Sequence, residues 1–384
     1  MNQSMDSDQR VRVAVIYDGF PHYRKGVIEE LASSETHAYY FFGNSTYRDA
    51  SIKGYEFKAG IKVVRTRSFS WRHFNVQTNI LNALLRYKIS HCIFLGNPWF
   101  VSYWILTPIL RLLGKKVYFW SHGWITRQEP PLRRAVKHLF FRLPHALLLY
   151  GHRAKEIGIS YGFPADRLYV ISNSLDYRAQ RNLFESLARF SQSQLRNEFQ
   201  LPLDCKVIIC TARVTQKCRF DLLMYAASKL KDNSRDVFLL IVGDGPEKAA
   251  LSVLAASLGL AHKFWGACYD EATIAKLYKA SDLTVSPGKV GLTAMHSMAY
   301  GTPVISHDNF DHQMPEYEAI VPGVTGDFFP ENSSAELARV ILKWFGDHPV
   351  KPERACIDRV EAEFTPSYQR RAIESALQER TLGS

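Results

Sequence analysis

The chain reads as an α/β protein of two successive domains, each built on a mainly parallel sheet. Three observations predict this. From residue 11 onward, short β-branched or aromatic runs alternate with segments of helical spacing, the pattern of strand–helix–strand units. The alternation restarts near residue 206, after a polar, arginine-bearing stretch that suits a domain boundary. Finally, 384 residues exceed what one hydrophobic core usually supports.

Residues 11–16 (Val-Arg-Val-Ala-Val-Ile) form a buried-strand run, closed by Tyr17-Asp18-Gly19-Phe20-Pro21 and followed by helical spacing over 26–32. Further strands are expected at 39–42, 61–64, 92–95, 116–120, 146–150 and 169–171, with helices at 76–87, 103–113 and 132–143. The second half repeats this grammar. Strands are expected at 206–210, 237–242, 263–265, 283–285 and 304–305, helices at 221–230, 247–257 and 274–280, and mostly helix beyond 333. The expected domains are 1–180, a linker at 181–200, and 201–365, with a last helix at about 366–384 packing back on the first domain. Two such domains in series are expected to face each other across a cleft lined by strand carboxyl ends.

With 46% hydrophobic and 13% aromatic residues the chain is globular, and disorder is expected only in the polar run at residues 1–9. The six cysteines have no short paired spacing, so they read as reduced thiols of a cytosolic protein, and no aspartate-rich metal motif is present. No apolar run reaches the roughly 18–20 residues of a membrane span, and no signal peptide is read ahead of residue 11. The expected location is cytoplasmic, with peripheral contact to the inner face of the cell membrane as an option.

Net charge is +11, and residues 1–190 hold 27 Lys and Arg against 13 Asp and Glu. A basic first half suits a phosphorylated substrate, anionic lipid or nucleic acid. No nucleic-acid motif or aromatic interleaving accompanies it, so no nucleic-acid partner is expected. Within 132–143, Leu132, Val136, Leu139, Phe140 and Leu143 share one helical face and Arg133, Arg134, Lys137 and Arg142 lie mostly off it. That face is either core or a contact to an anionic membrane surface.

Four stretches carry residue types suited to an anionic ligand. Residues 286–305 read as strand end, glycine loop, helix, turn and strand, with Gly288, Lys289, Val290 and Gly291 in the loop and Gly301-Thr302-Pro303-Val304-Ile305 at the far end. Such a loop turns bare N–H groups toward a helix N-terminus, where phosphate is favoured, although the same glycines suit an ordinary tight turn. Gly243-Asp244-Gly245-Pro246 follows a strand and precedes a helix, and alone it reads as a structural turn. Arg213 and Lys217 follow strand 206–210 and offer a planar fork and a compact charge for a diphosphate, although two cations alone read as solvated surface. The run Asp308-Asn309-Phe310-Asp311-His312-Gln313-Met314-Pro315-Glu316 either reads sugar hydroxyls or caps the next helix.

In order, Arg213 with Lys217, Gly243-Asp244-Gly245-Pro246, Phe264-Trp265-Gly266, Ser281-Asp282, Ser286-Pro287, Gly291-Leu292 and Gly301-Thr302-Pro303-Val304-Ile305 resemble the carboxyl-terminal domain of retaining family-4 glycosyltransferases, the glycosyl transferases group 1. The resemblance covers roughly residues 205–330 well and the first domain loosely. It implies a GT-B fold of two Rossmann-like domains, with a nucleotide sugar bound by the second and an acceptor by the first. It implies a hexosyltransferase-type enzyme moving sugar from a UDP- or GDP-sugar to a saccharide or lipid-linked saccharide hydroxyl, with retention, in bacterial surface polysaccharide or glycolipid biosynthesis. No cofactor or metal is expected.

Carried over by position, Arg213 and Lys217 would neutralise the leaving diphosphate, and His122, in Ser121-His122-Gly123, would approach the reacting sugar. Gly19, Gly243, Trp265, Gly266, Ala267, Gly288, Lys289, Val290, Gly291 and Leu292 would border the donor. The sequence also departs from the pattern. The family has two glutamates separated by seven residues, and the aligned positions hold Gly288 and His296; Cys218 replaces the glycine common after the lysine. His296 could still meet a ribose hydroxyl, and Glu316 is a substitute carboxylate to be considered. Two rivals share these features: a nucleotide-sugar epimerase or hydrolase on the same architecture, and a non-catalytic basic binding protein.

Overall fold

A computed structural model describes residues 9–45, 53–232 and 236–379. Of the polar run at residues 1–9, all but residue 9 lies outside them. The chain divides into two compact units, residues 1–176 with 366–384, and residues 177–365.

The first unit runs β1 (Val11–Gly19), α1 (Lys25–Ala32), β2 (His37–Asn44), β3 (Lys62–Val64), β4 (Arg67–Trp71), β5 (Phe74–Thr78), α2 (Ile80–Arg86), β6 (His91–Leu95), α3 (Val101–Leu112), β7 (Lys116–Ser121), α4 (Pro131–Phe141), β8 (Ala146–Leu149), α5 (His152–Ser160) and β9 (Leu168–Val170). Seven strands make a parallel sheet in the order β3-β2-β1-β6-β7-β8-β9. The β1 run is apolar throughout because both faces are covered. Ala14 and Ile16 join Phe94 and Phe119 on one side, while Val13 and Val15 meet Ile373 and Leu377 of the C-terminal helix, Pro366–Glu379, on the other. That helix is tied down by Ser34 Oγ donating to Glu374 Oε1 (2.6 Å) and Ser174 Oγ donating to Gln369 Oε1 (2.8 Å).

The helix expected at 76–87 is replaced at its start by a strand. Residues 74–78 (Phe-Asn-Val-Gln-Thr) alternate with period two and pair antiparallel with β4, and α2 begins only at Ile80. The alternation is inverted, with Asn75 and Gln77 buried and Phe74 and Val76 exposed. Gln77 donates to Tyr17 O (2.8 Å) and Thr66 Oγ1 (2.6 Å) and accepts from the Tyr103 hydroxyl (2.6 Å). A strand that buries its amides and exposes its apolar residues gives the wrong signal when read for a hydrophobic inner face.

The second unit runs α6 (Tyr177–Ser186), α7 (Gln192–Glu198), β10 (Lys206–Thr211), α8 (Phe220–Asp232), β11 (Val237–Val242), α9 (Lys248–Ser257), β12 (His262–Gly266), α10 (Glu271–Ala280), β13 (Leu283–Ser286), α11 (Leu292–Ala299), β14 (Val304–His307), β15 (Gly326–Phe329), α12 (Ser334–Asp347) and α13 (Glu353–Glu363). Its parallel sheet has the order β12-β11-β10-β13-β14-β15. Counted within the unit this is 3-2-1-4-5-6, the doubly wound dinucleotide-fold order, and the first sheet follows the same order with one strand added.

Residues 181–200, expected as a linker, are part of this unit. Leu187, Leu195 and Phe199 pack with Ala275, Tyr278 and Tyr300. The arginine that made the stretch look solvated is buried: Arg196 Nη2 pairs with Asp282 Oδ2 at 2.5 Å, and the same oxygen accepts the Val207 N–H at 2.7 Å. Asp282 thereby joins α7, β10 and β13 at one point.

Candidate functional site

In a doubly wound sheet, ligands sit outside the strand carboxyl ends where the order reverses. In the second unit that switch point lies between β10 and β13, and the loops flanking it are those carrying Arg213 and Lys217 on one side and Gly288 to Gly291 on the other.

These loops touch. The Gly288 N–H donates to Cys218 O (3.1 Å), and a Cβ built on Gly288 would lie 2.1 Å from Lys217 O. The β11 loop joins the same cluster. Val214 N–H donates to Asp244 O (3.0 Å), and Gly243 N–H to Gly266 O (2.8 Å). Gly243 has φ +142, and a Cβ there would meet Ala212 O at 1.9 Å. Glycine at 243 and 288 is therefore demanded by close backbone approach.

The 308–316 run fixes the loop from the far side. Gln313 is buried and spends its amide internally: Oε1 accepts Val290 N–H (2.7 Å), while Nε2 donates to Ser306 Oγ (2.9 Å) and His307 O (3.0 Å). His312 and Asn309 both engage Glu331, each at 2.7 Å. This run chiefly holds the Gly288 to Gly291 loop in place.

Above the loop, Arg213, Lys217 and Lys289 are exposed. Dehydration and then the Lys217 charge lower the Lys289 pKa, with Glu316 opposing. Glu316 is 2% exposed, below the loop rather than out in solvent. A lysine whose charge is disfavoured by burial and by a neighbouring cation is relieved by an anion, and α11 begins at Leu292 just beyond.

Two of the expected residues have partners of their own within the unit. The Trp265 ring meets Phe199 edge-on at 5.3 Å with Lys263 Nζ 5.2 Å from its centroid, leaving Gly266 and Ala267 at the loop. His296 Nε2 lies 2.8 Å from Glu271 Oε1, which also accepts from the Tyr300 hydroxyl at 2.6 Å and from Gln180 at 3.4 Å. Burial alone would raise the Glu271 pKa, but the hydrogen bond and charge of His296, then Tyr300 and Gln180, outweigh it and bring it to about 2. Glu271 opens α10, and no motif in the sequence marked it as the partner of the residue aligned with the family's second glutamate.

Gly19 and His122 belong to the first unit, the one ending β1 and the other following β7 of the same sheet. His122 stands 4.7 Å from the Tyr150 ring and lines a cavity of about 400 Å³ with Arg24, Trp99 and Trp120. Arg24 was passed over in the sequence because a single arginine in a β–α connection carries no spacing signal. The 132–143 face follows the core alternative at Phe140, and the exposed apolar surface of this unit lies chiefly elsewhere. On α4, Phe140 and Phe141 are buried and only Leu132 and Leu139 of the apolar positions stand exposed, whereas the β4–β5 hairpin exposes Phe69, Trp71, Phe74 and Val76.

Fold and site together define a GT-B architecture of two Rossmann-like units. A glycosyltransferase from Rickettsia africae superposes with a TM-score of 0.71 over 98% of this chain and 100% of its own, at 17% identity. The Anabaena protein HepE, solved in complex with UDP, superposes with 0.69 over 97% and 100%, at 16% identity. More specifically, residues 191–361 match the family described as glycosyl transferases group 1. Among curated relatives, a D-inositol 3-phosphate glycosyltransferase from Thermomonospora curvata is 29% identical over 52% of this chain and 48% of its own length. The chain thus spans about half the length of the curated relatives it matches. Among the described residues no helix is long and apolar enough to cross a membrane.

Proposed function

We propose that the protein is a glycosyltransferase moving a hexose from a nucleotide diphosphate sugar to a hydroxyl of a saccharide or lipid-linked saccharide, with retention of anomeric configuration. The observation that carries this reading is the joined cradle at the second switch point, where Gly288 packs on the backbone of the Arg213 to Cys218 loop and the two loops carry Arg213, Lys217 and Lys289, all exposed. Fixed cations aimed at a leaving diphosphate stabilise the charge that develops as the sugar–phosphate bond breaks. Arg213, Lys217 and Lys289 supply that charge, so no divalent ion is invoked and chelation should leave turnover unchanged. The group 1 match and the UDP held by the structurally similar HepE support the donor class.

The acceptor is assigned to the first unit, and a lipid-linked acceptor fits its surface. The hairpin carrying Trp71 and Phe69 joins the cavity rim directly, since Asn75 N–H donates to Trp99 O (2.8 Å) and the Phe74 and Trp99 rings stand 6.0 Å apart. Arg67 and Arg72 flank these aromatics, a combination suited to an anionic leaflet. Such a protein would work at the cytoplasmic face of a membrane, in bacterial surface polysaccharide or glycolipid biosynthesis.

The test is product formation. Incubation with UDP- and GDP-hexoses and a pooled set of glycolipid and saccharide acceptors should give a new glycoside by mass spectrometry, α-linked from an α-donor by NMR. Altered or free sugar with no glycoside from any acceptor would favour the epimerase or hydrolase reading instead.

A further inference from the structure

Helix α3 is apolar on both of its faces, and one of them stands in water. No charge interrupts it before Arg111. Tyr103, Thr107 and Leu110 are buried, the first and last in the core with Phe94 and Phe119. On the opposite side Val101, Ile105, Pro108, Ile109 and Leu112 are all exposed, and at helical spacing they make one stripe about 100° wide from the first turn to the last. Ile105 is 59% exposed and Leu112 88%. A helix apolar all round belongs in a protein core or against lipid.

The stripe is continuous with the hairpin. A groove of about 350 Å³ lies between α3, the start of α2 and β5, and its apolar lining is Val76, Ile80, Leu81, Val101, Ile105 and Leu106. Beneath it β5 is fastened to α3, since Gln77 N–H donates to Ser102 Oγ (3.1 Å) and the Tyr103 hydroxyl to Gln77 Oε1 (2.6 Å). Hairpin, groove and α3 thus form one connected apolar surface, and a surface of that extent marks an interaction site.

Charge selects the occupant. Residues 57–128 contain this whole surface and hold 11 Lys and Arg with no Asp or Glu, a charge equal to the +11 of the entire chain. Of these cations Arg65, Arg67, Arg72, Arg86, Lys88 and Arg111 are exposed. A second copy of the chain, docked about a two-fold axis, would bring these like charges together. An anionic leaflet offers hydrocarbon to the stripe and phosphate to the cations around it. The twelve residues of α3 rise only about 18 Å, short of the roughly 30 Å hydrocarbon layer, so the helix can lie in a leaflet and cannot cross a bilayer.

We propose that α3 is an in-plane membrane element that seats the first unit on an anionic phospholipid leaflet. Ile105 and Leu112 enter the acyl layer, acyl chains cover the groove beside them, and the surrounding cations meet the headgroups. The hairpin is then the edge of a larger seat whose main inserted element is α3. That this seat brings the enzyme to a lipid-linked acceptor rests on the glycosyltransferase reading; the lipid contact itself does not.

The experiment is co-sedimentation of the full chain with vesicles of phosphatidylcholine alone or with roughly 30% phosphatidylglycerol, for the wild type, for Ile105→Ser/Leu112→Ser, and for Leu203→Ser/Val253→Ser, which alters two exposed apolar residues of the second unit. Wild type should bind the anionic vesicles and bind phosphatidylcholine alone far less. The α3 variant should bind the anionic vesicles about ten-fold more weakly or worse, because two large side chains no longer leave water. Its melting temperature should stay at the wild-type value, and the second-unit variant should bind as wild type does. Anionic-vesicle binding unchanged in the α3 variant would confine the contact to the hairpin and overturn the proposal. So would equal binding to both kinds of vesicle, or a wild-type dimer in sedimentation velocity that the α3 variant dissolves. Nucleotide-induced melting shifts in the same proteins report separately on the glycosyltransferase reading, which fails alone if vesicles bind and no nucleotide does.

Discussion

A side chain at position 288 would meet the backbone of Lys217: the Cβ of any residue but glycine would stand 2.1 Å from the Lys217 carbonyl oxygen and 2.9 Å from the Cys218 carbonyl carbon. Two of the three departures from the family pattern, Gly288 and Cys218, are therefore in contact. Cys218 Sγ reaches Arg213 O at 3.1 Å, bracing the loop that Gly288 lies upon. The glutamate of the family pattern has no room here while this loop keeps its course.

Restoring that glutamate should accordingly harm the protein. Gly288→Glu, and to nearly the same degree Gly288→Ala, should lower stability by on the order of 2–4 kcal/mol and abolish nucleotide-induced stabilisation, because the clash begins at Cβ. Thermal melts with and without UDP or GDP measure both. A Gly288→Glu protein with wild-type melting and tighter nucleotide binding would show that the two loops separate freely.

The Glu271 cluster sets an acid limb. The folded carboxyl titrates at about 2, below the roughly 4.3 of a free glutamate. Its stabilisation is fully present above the unfolded value and is lost as pH falls from about 4.5 toward 2. Glu271→Gln should flatten the stability profile in that window, as read by urea melts. A separate loss precedes it. Burial, then His37 and Lys116, bring the His91 pKa down to about 4, and burial with Arg111 does the same for His145. The unfolded chain takes up these protons first, near pH 6.5, so stability falls between pH 6.5 and 4. His91→Phe should remove part of that slope.

Breaking the Arg196 to Asp282 pair should be costly. Both side chains are buried and the carboxylate also holds the Val207 amide, so Asp282→Asn leaves an unpaired guanidinium and should destabilise by about 3–5 kcal/mol. Calorimetry of the residues 177–365 transition within the full chain would register it as a loss confined to that unit.

If the protein works at a membrane as proposed, the hairpin rather than α4 should make the contact. Trp71 and Phe69 are 69% and 61% exposed. Replacing both with Ser should markedly reduce co-sedimentation with vesicles containing 30% anionic lipid, a composition chosen for the assay as roughly that of a charged leaflet, while Leu132→Ser on α4 should change it little.

Much of the architecture was legible because it is written in long apolar runs. The strands from Val13–Ile16 outward, buried on both faces, give a signal that no surface requirement dilutes. The hairpin was hidden because Asn75 and Gln77 point inward to satisfy backbone and side-chain groups that only the folded chain brings near. Arg196 misled the domain boundary for a related reason, since a buried arginine and a solvated one are the same letter and only Asp282, 86 residues later, separates them. Within the second unit, the order of glycines and cations along the chain named the loops that the structure brings together. The partners of His296 and Trp265 could not be read in advance, because Glu271 and Phe199 come from elements that carry no motif.

The most direct test is calorimetric titration of UDP and GDP into the wild type and into Arg213→Ala/Lys217→Ala. One nucleotide should bind with a Kd on the order of 10–100 μM, and the double variant should bind at least about ten-fold more weakly with its melting temperature unchanged, as both side chains are exposed. Binding by neither nucleotide, or equal binding by wild type and variant, would contradict a diphosphate cradle at the second switch point.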